Sequence, residues 1–380
     1  MNSLKWKIPL FKIYWDEDDI ESVSNVIKRG TYWANGKEIT QFEDNIAEFV
    51  DRKYAVSFNS GTSALHALLL AYDIRSFEVI VPSFTFIATA NSVLMAGGKA
   101  IFAEVETDSF GLDANDVNER ITDKTKAIMP VHVGGQPCMQ MKELMEIAED
   151  KNLLLLEDAA EALGSFDKNG KAGNYGDAAM FSFCQNKVIT TGEGGLIVLD
   201  DKEIFEKLKL IRSHGRMERL DGDFFSNIKD NEYIQIGYNF RMSSMTAALG
   251  LSQFSKISKI LKLRNEKASY LNKQLGDLES ITVPKAFNDA YHIYQLYILK
   301  FNENKMRDKV QQHLEKKGIM TKIYFNPIHL KDFYRKTFSY KDGDLPITEE
   351  LSKRVLTLPM YTDLTTKDMD YIIESVKEVL

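Results

Sequence analysis

Leu153-Leu154-Leu155-Leu156-Glu157-Asp158-Ala159-Ala160-Glu161 is the stretch that decides the fold. A leucine run that stops abruptly at carboxylates reads as a strand covered on both faces, its carboxyl end opening on a cleft. Runs of the same character recur at Tyr54–Phe58, Glu78–Val81, Ala100–Val105, Ala127–Val131, Ala178–Phe183 and Gly195–Leu199. Helical stretches separate them at Ser63–Tyr72, Phe86–Ala96, Asn115–Ile121 and Met141–Asp150, the last with Leu144, Ile147 and Ala148 at helical spacing. Strand–helix alternation of this kind predicts an α/β fold: a three-layer domain with a mainly parallel seven-stranded sheet between helices. Sheets of this kind place ligands at the carboxyl ends of their strands.

Past residue 200 the pattern changes. Ser243–Leu275 reads as one long helix, with Met245, Leu249, Phe254, Ile257, Leu261, Ala268, Leu271 and Leu275 at helical spacings. Beyond it a strand is expected over Tyr291–Phe301, a helix over Lys305–Lys317, a strand over Ile319–Tyr324 and a closing helix over Lys367–Val379 capped by Thr365 or Thr366. The expected organisation is a large domain over 1–250 and a smaller α+β domain over 251–380, with helix 243–275 as connector.

Composition narrows the function classes. The 380 residues carry 48 basic and 55 acidic side chains, a net charge of −7, which argues against a general nucleic-acid binder and against a polybasic membrane anchor. Apolar runs such as Leu68–Ala71 are far shorter than the roughly 20 residues of a membrane span. Lys5, Lys7 and Lys12 interrupt any apolar core of a signal peptide, so a cytoplasmic protein is expected. Cys138 and Cys184 are too few for a disulfide framework or a zinc site.

Three motifs follow strands. Asn59-Ser60-Gly61-Thr62-Ser63-Ala64-Leu65 opens a helix, where free N–H groups, a glycine and two hydroxyls suit an anion, although an ordinary capped turn has the same look. Asp158 stands where an aspartate can hold a positive ring nitrogen or a metal, or merely cap a helix; no His or Cys cluster accompanies it, and no metal site is expected. Ser182-Phe183-Cys184-Gln185-Asn186-Lys187 and Thr190-Thr191-Gly192-Glu193-Gly194-Gly195 put one lysine in a glycine-rich turn between two apolar strands, where a desolvated amine becomes a nucleophile. An aldehyde-binding lysine, a carboxylate for a ring nitrogen and a phosphate-cradling turn are together what pyridoxal 5'-phosphate needs.

These segments resemble the DegT/DnrJ/EryC1/StrS family of sugar aminotransferases, within the fold-type I pyridoxal-phosphate enzymes. The resemblance runs from Ile8-Pro9-Leu10 to Leu358-Pro359-Met360-Tyr361, and is most specific at Asn59–Leu65, Val81–Phe86, Pro130-Val131-His132, Glu157–Gly164, Ser182–Gly195 and Gly237–Met242. The wording of Glu157–Gly164, and of Asn186-Lys187 with Thr190–Gly195, is most similar to perosamine-synthase-like 4-aminotransferases.

The resemblance implies roles. Lys187 would bind the cofactor aldehyde and carry a proton to and from the sugar carbon; Asp158 would pair with the ring nitrogen; Phe86 would stack on the ring. Gly61, Thr62, Ser63 and Ser182 would hold the phosphate, and Asn239 would reach it from the neighbouring subunit of a homodimer. Glu161 would lie near cofactor and substrate, and His214, His292 and His329 fall where the family builds its sugar-nucleotide cleft, each of them equally readable as a packing residue. The implied reaction moves an amino group from L-glutamate to a nucleotide-linked keto-sugar, at C4 of a 4-keto-6-deoxyhexose, with C3 as the alternative. A branch that dehydrates at C3 has histidine in place of the lysine, which Lys187 disfavours. A non-catalytic regulator that kept the fold would need neither Lys187 nor Asp158, and an enzyme of free amino acids would want an arginine such as Arg241. The acidic, aromatic loop 217–233 departs from the family pattern.

Overall fold

A computed structural model describes residues 6–217, 232–287 and 289–380. Most of loop 217–233, with its Asp221–Phe225 segment, and Lys5 lie outside the described residues.

Two helices come first, α1 (Glu17–Arg29) and α2 (Lys37–Phe49). The sheet region follows as β1 (Tyr54–Phe58), α3 (Gly61–Ala71), β2 (Glu78–Pro82), α4 (Ala88–Met95), β3 (Lys99–Ala103), α5 (Ala114–Arg120), β4 (Thr125–Ile128), α6 (Met141–Lys151) and β5 (Leu154–Asp158). A short hairpin, β6 (Phe166–Asp167) and β7 (Gly170–Lys171), leads to β8 (Ala178–Ser182), β9 (Gly195–Leu199) and α7 (Lys202–Arg212). The seven-stranded sheet has the order β1-β9-β8-β5-β4-β2-β3. Every pair is parallel except those of β9, which runs antiparallel to both β1 and β8.

Alternation along each strand divides the core in two, as the pleat requires. Val56, Phe58, Leu156 and Met180 face α3, α4 and α7, packing on Leu65, Leu68, Val93 and Leu208. Ala55, Ala179 and Phe181 face the other way, onto Phe42 and Ile46 of α2, while Leu155 packs with Leu144 of α6. This is the expected three-layer arrangement, and each of the seven strands expected for this sheet is present within a few residues of its bounds.

The second half contains α8 (Ser244–Ser255), α9 (Ile257–Leu275), β10 (Ile281–Thr282), β11 (Tyr297–Phe301), α10 (Asn304–Lys316), α11 (Asp332–Phe338), α12 (Pro346–Arg354), β12 (Val355–Leu358) and α13 (Thr366–Lys377). Strands β10, β11 and β12 form an antiparallel sheet in that order. The single helix expected over 243–275 is broken at Lys256, whose ammonium ties α1 down through Asp16 (2.6 Å) and Asp19 (2.8 Å). The strand expected over 291–301 begins only at Tyr297. Before it the backbone turns away, Tyr294 at φ 49, and its amides bond elsewhere: Tyr291 to Phe166, and Ile293 and Leu296 to Gly135 and Gly134. Ile319–Tyr324 makes only isolated bridges, Ile8 with Ile319 and Lys322 with Thr357. Thr365 does cap α13, in a capping box with Asp368.

Candidate active site

Strands β1, β8 and β5 end on the same edge of the sheet, and the motif residues gather there. In the register, Phe58 and Ser182 both lie opposite Gly195 of β9. A side chain at Gly195 would run into the Ser60 carbonyl, so this glycine lets the turn into α3 pass directly over β9. The turn brings Gly61 to Ser182: a Cβ at Gly61 would stand 3.3 Å from Ser182 Oγ. Ser60 Oγ caps α3 by accepting the Ser63 N–H at 3.1 Å, which leaves the Gly61 and Thr62 end of the helix, both half-buried, facing the edge beside Ser182.

At the end of β5 two adjacent carboxylates point to opposite sides. Glu157 is fully buried and accepts from His132 Nε2 (2.9 Å) and from the amides of Gly173 (2.7 Å), Tyr175 (2.8 Å) and Gly176 (3.0 Å). His132 receives the Cys138 amide on Nδ1 at 3.1 Å, so its proton is on Nε2. Glu157 is therefore a structural anchor. Asp158, 4% exposed, faces the cleft: Thr89 Oγ1 donates to Oδ2 at 2.8 Å and the Ala160 amide to Oδ1 at 3.2 Å. Its main chain is fixed on both sides, its amide donating to Pro130 O and its carbonyl accepting from the His132 amide. Burial raises the pKa of Asp158, against the opposing pull of Thr89, the Ala160 amide and the positive charge of Lys187. A buried carboxylate with this bias is suited to a cationic ligand atom.

Lys187 sits in the turn between β8 and β9, stiffened by Thr191 N to Phe183 O, Phe183 N to Gly194 O and Thr190 Oγ1 to Phe183 O. Its Nζ lies 3.4 Å from Glu161 Oε1, with both side chains largely withdrawn from water. Glu161 Oε2 accepts the Gly134 N–H at 2.9 Å. Tyr324 joins this group: burial first, then the charges of Glu161 and Cys184, push its phenol up to about 12. Gly134, Thr89 and Tyr324 escaped sequence reasoning. A threonine in the first turn of α4 and a tyrosine from the far half of the chain carry no local signal.

The other expected site residues are distributed as follows. Phe86 lies between β2 and α4 and is 62% exposed, while Thr89, three residues on, bonds Asp158. Asn239 is exposed, its carbonyl accepting from Asn59 Nδ2 at 3.3 Å, next to the turn into α3. His214 is exposed at φ 62, and its amide donates to Tyr238 O. His292 is buried, stacked on Tyr294, and accepts the Tyr294 amide on Nδ1 at 2.8 Å; burial, reinforced by Arg264, lowers its pKa to about 3. His329 is fully buried between Ser83 Oγ (2.7 Å) and Glu349 Oε1 (3.2 Å), and burial lowers its pKa as well. The structure thus brings together Gly61, Thr62, Ser182, Asp158, Glu161 and Lys187, and holds His292 and His329 in packing networks of their own.

The donor set fits pyridoxal 5'-phosphate. A buried aspartate is available for the ring nitrogen, an amine for the aldehyde, and a helix start with a facing serine hydroxyl for the phosphate, with a glycine leaving the space that a Cβ would fill.

The sequence matches the family described as the DegT/DnrJ/EryC1/StrS aminotransferase family over residues 14–377. It is 36% identical to the GDP-perosamine synthase of Caulobacter vibrioides, over 92% of each chain. It is 32% identical to the spore coat polysaccharide biosynthesis protein SpsC of Bacillus subtilis, over 99% of this chain and 97% of that one. Among solved structures, Helicobacter pylori PseC, an aminotransferase involved in the biosynthesis of pseudoaminic acid, superposes with a TM-score of 0.91 at 30% identity over 98% of both chains.

Proposed function

The chain belongs to the DegT/DnrJ/EryC1/StrS aminotransferase family, a family of pyridoxal-phosphate enzymes, and from that premise we propose that it transfers an amino group from L-glutamate to C4 of a nucleotide-linked 4-keto-6-deoxyhexose. The observation that carries this reading is the meeting of Lys187, Glu161 and Asp158 at one end of the sheet, beside the start of α3. The choice of C4 is supported by the likeness of Glu157–Gly164 and Asn186-Lys187 to perosamine-synthase-like 4-aminotransferases, and the choice of a nucleotide-linked sugar by the relatives' names.

When bound, pyridoxal phosphate supplies an aldehyde that takes up amino groups and a ring that withdraws electrons from the adjoining carbon. This chain's residues do the rest. Asp158, oriented by Thr89, would keep a proton on the ring nitrogen by remaining charged beside it. The amides of Gly61 and Thr62, with the hydroxyls of Thr62, Ser63 and Ser182, would hold the phosphate by N–H and O–H donation. The Lys187 amine would hold the aldehyde until an incoming amine displaces it and, once freed, would move the proton on and off the reacting carbon, with Glu161 orienting Nζ. Phe86 would stack on the ring, as the family resemblance implies. The two substrates use one site in turn.

A homodimer is part of the reading. Asn239 and Phe86 are exposed close to the site, and Ile234 and Ile236, just before the Gly237–Met242 segment, are 57% and 86% exposed. A two-fold partner covering this region would bury them and bring its own Asn239 to the phosphate. Residues 1–250 act as the cofactor domain and 251–380 as the smaller one that closes over it. Among the described residues no helix is long and apolar enough to cross a membrane, and the cytoplasm, where nucleotide sugars are made, is the expected compartment.

The test is mass spectrometry of products from purified enzyme, L-glutamate and a panel of 3-keto and 4-keto nucleotide sugars. An amino sugar with the nitrogen at C4 is expected. Amination at C3 would move the assignment along the ring, and conversion of none, with turnover of free keto acids, would overturn it.

A further inference from the structure

The peptide joining Asn186 to Lys187 is held at both ends. Its N–H donates to Cys184 O at 3.0 Å, and its carbonyl accepts from Gln295 Nε2 at 2.7 Å. Gln295 comes from the other half of the chain, just ahead of β11, and its own carbonyl is fixed by buried Arg264 of α9 at 3.0 Å. Because Nε2 must face the Asn186 carbonyl, the orientation of the amide is determined. Oε1 is left buried, with no hydrogen-bond partner among the described residues. Thr357 of β12 is 1% exposed, and its Oγ1 is likewise buried without a partner among them. Its main-chain N–H and C=O are both used by Lys322.

Gln295, Thr357, Asn186 and Tyr324 line one small cavity of about 10 Å³. That is close to the space one water needs, and an acceptor and a hydroxyl on two of its lining side chains offer it two polar partners. Buried polar atoms are seldom left unpaired, and two that belong to side chains lining one water-sized cavity point to the same guest.

We propose that one water is bound between Gln295 Oε1 and Thr357 Oγ1, and that Gln295, steadied by it, is a positioning residue for Lys187. The water donates one hydrogen to Gln295 Oε1 and accepts from the Thr357 hydroxyl. The chain Thr357–water–Gln295–Asn186 then ties the small sheet to the turn that carries the lysine, so a shift of β12 is felt at Nζ. The positioning role rests on the reading of Lys187 as the cofactor-binding lysine; the water site does not.

The test uses the whole enzyme with Thr357→Val, Thr357→Ser and Gln295→Leu. Crystal structures at about 1.6 Å should show an ordered water within about 3.2 Å of both atoms in the parent and in Thr357→Ser, and none in Thr357→Val. For Gln295→Leu, kcat should fall about tenfold with each KM within about twofold, since a small displacement of a reacting group is costly. The pH midpoint of the visible absorbance of the cofactor-loaded enzyme should move with it, and move less in Thr357→Val. Should Gln295→Leu fail to fold, Gln295→Met takes its place. An empty cavity in the parent overturns the water site. A lower melting temperature with unchanged midpoint and kcat overturns the positioning role. Lys187→Ala keeping the visible band would sink the reading of the lysine while leaving the water site standing.

Discussion

Lys187 Nζ stands 3.4 Å from Glu161 Oε1, while the other oxygen of that carboxylate accepts the Gly134 amide at 2.9 Å. The carboxylate is thus held from one side and offered to the amine on the other. In Glu161→Gln the amide oxygen satisfies Gly134, which turns an NH2 group towards the ammonium, donor against donor. Steady-state kinetics should show kcat lowered about 10- to 100-fold, with the fold and thermal stability nearly unchanged. Undiminished kcat would remove Glu161 from the chemistry.

Lys187 and Asn239 can be tested as members of one shared site. Lys187→Ala should have no turnover and no visible absorbance band. Asn239→Ala should bind the phosphate poorly. Mixed and reassorted, the two variants should regain about a quarter of the parent activity, since half the dimers are then mixed and each has one intact site. No recovery, with dimers confirmed by sedimentation, would place Asn239 in its own chain's site.

Asp158 is the group that burial disfavours when charged. Its pKa is raised in the folded, cofactor-free protein, so that state binds the proton more tightly than the unfolded chain does. Stability is therefore lost as pH climbs above the ordinary carboxylate range near 3.9. In Asp158→Asn this loss disappears: the stripped variant should unfold at higher urea than the stripped parent at pH 7, yet bind the cofactor far more weakly. Equal urea midpoints would mean that Asp158 is already relieved by its neighbours.

His292 runs in the opposite direction. Its pKa falls to about 3 in the fold, by burial and then by Arg264, against about 6.5 in the unfolded chain. The unfolded state binds the extra proton between these values, so stability present above pH 6.5 drains away as the solution is acidified to about pH 3. Replacement by Phe should flatten this acid limb by an amount on the order of a few kcal/mol, read from urea unfolding at a series of pH values. An unchanged acid limb would mean that other groups govern it.

Gly195→Ala drives a methyl into the Ser60 carbonyl. The turn into α3 has to lift off β9, which should cost about 1–3 kcal/mol or more and weaken phosphate binding together with stability. Both are measurable by thermal unfolding with and without pyridoxal phosphate. A variant as stable as the parent would mean that the turn has slack.

The sheet was legible because each strand is a compact apolar run bounded by turns, and burial on both faces writes that run into the sequence. The same burial hid the direction of β9, since Gly195–Leu199 is apolar on both faces whichever way it runs. Helices α1 and α2 were missed because each buries only a narrow stripe, such as Val26 or Phe42 and Ile46, among many charges. Lys187, Asp158 and Gly61 drew notice because each stands at the end of a strand or in the turn that follows one. Tyr324, Gln295 and Thr89 did not, since their importance lies in what the fold brings to them from far along the chain, 69 residues away for Thr89 and 109 for Gln295. His292 and His329 drew notice as histidines, although Nδ1 of the first is taken by the Tyr294 amide and both ring nitrogens of the second by Ser83 and Glu349.

The pairing of β1 with β9 has a consequence for how the protein is made. At a synthesis rate of about 5–20 residues per second, the roughly 140 residues between them keep β1 waiting on the order of ten seconds for its neighbour. Helix α1 waits longer still, for the Lys256 that fastens it. During that interval Ala55, Val56 and Phe58 emerge from the ribosome with no sheet to join. Nascent chains should therefore lean on chaperones, and any stop before Leu199 should leave an insoluble fragment instead of a half-built enzyme.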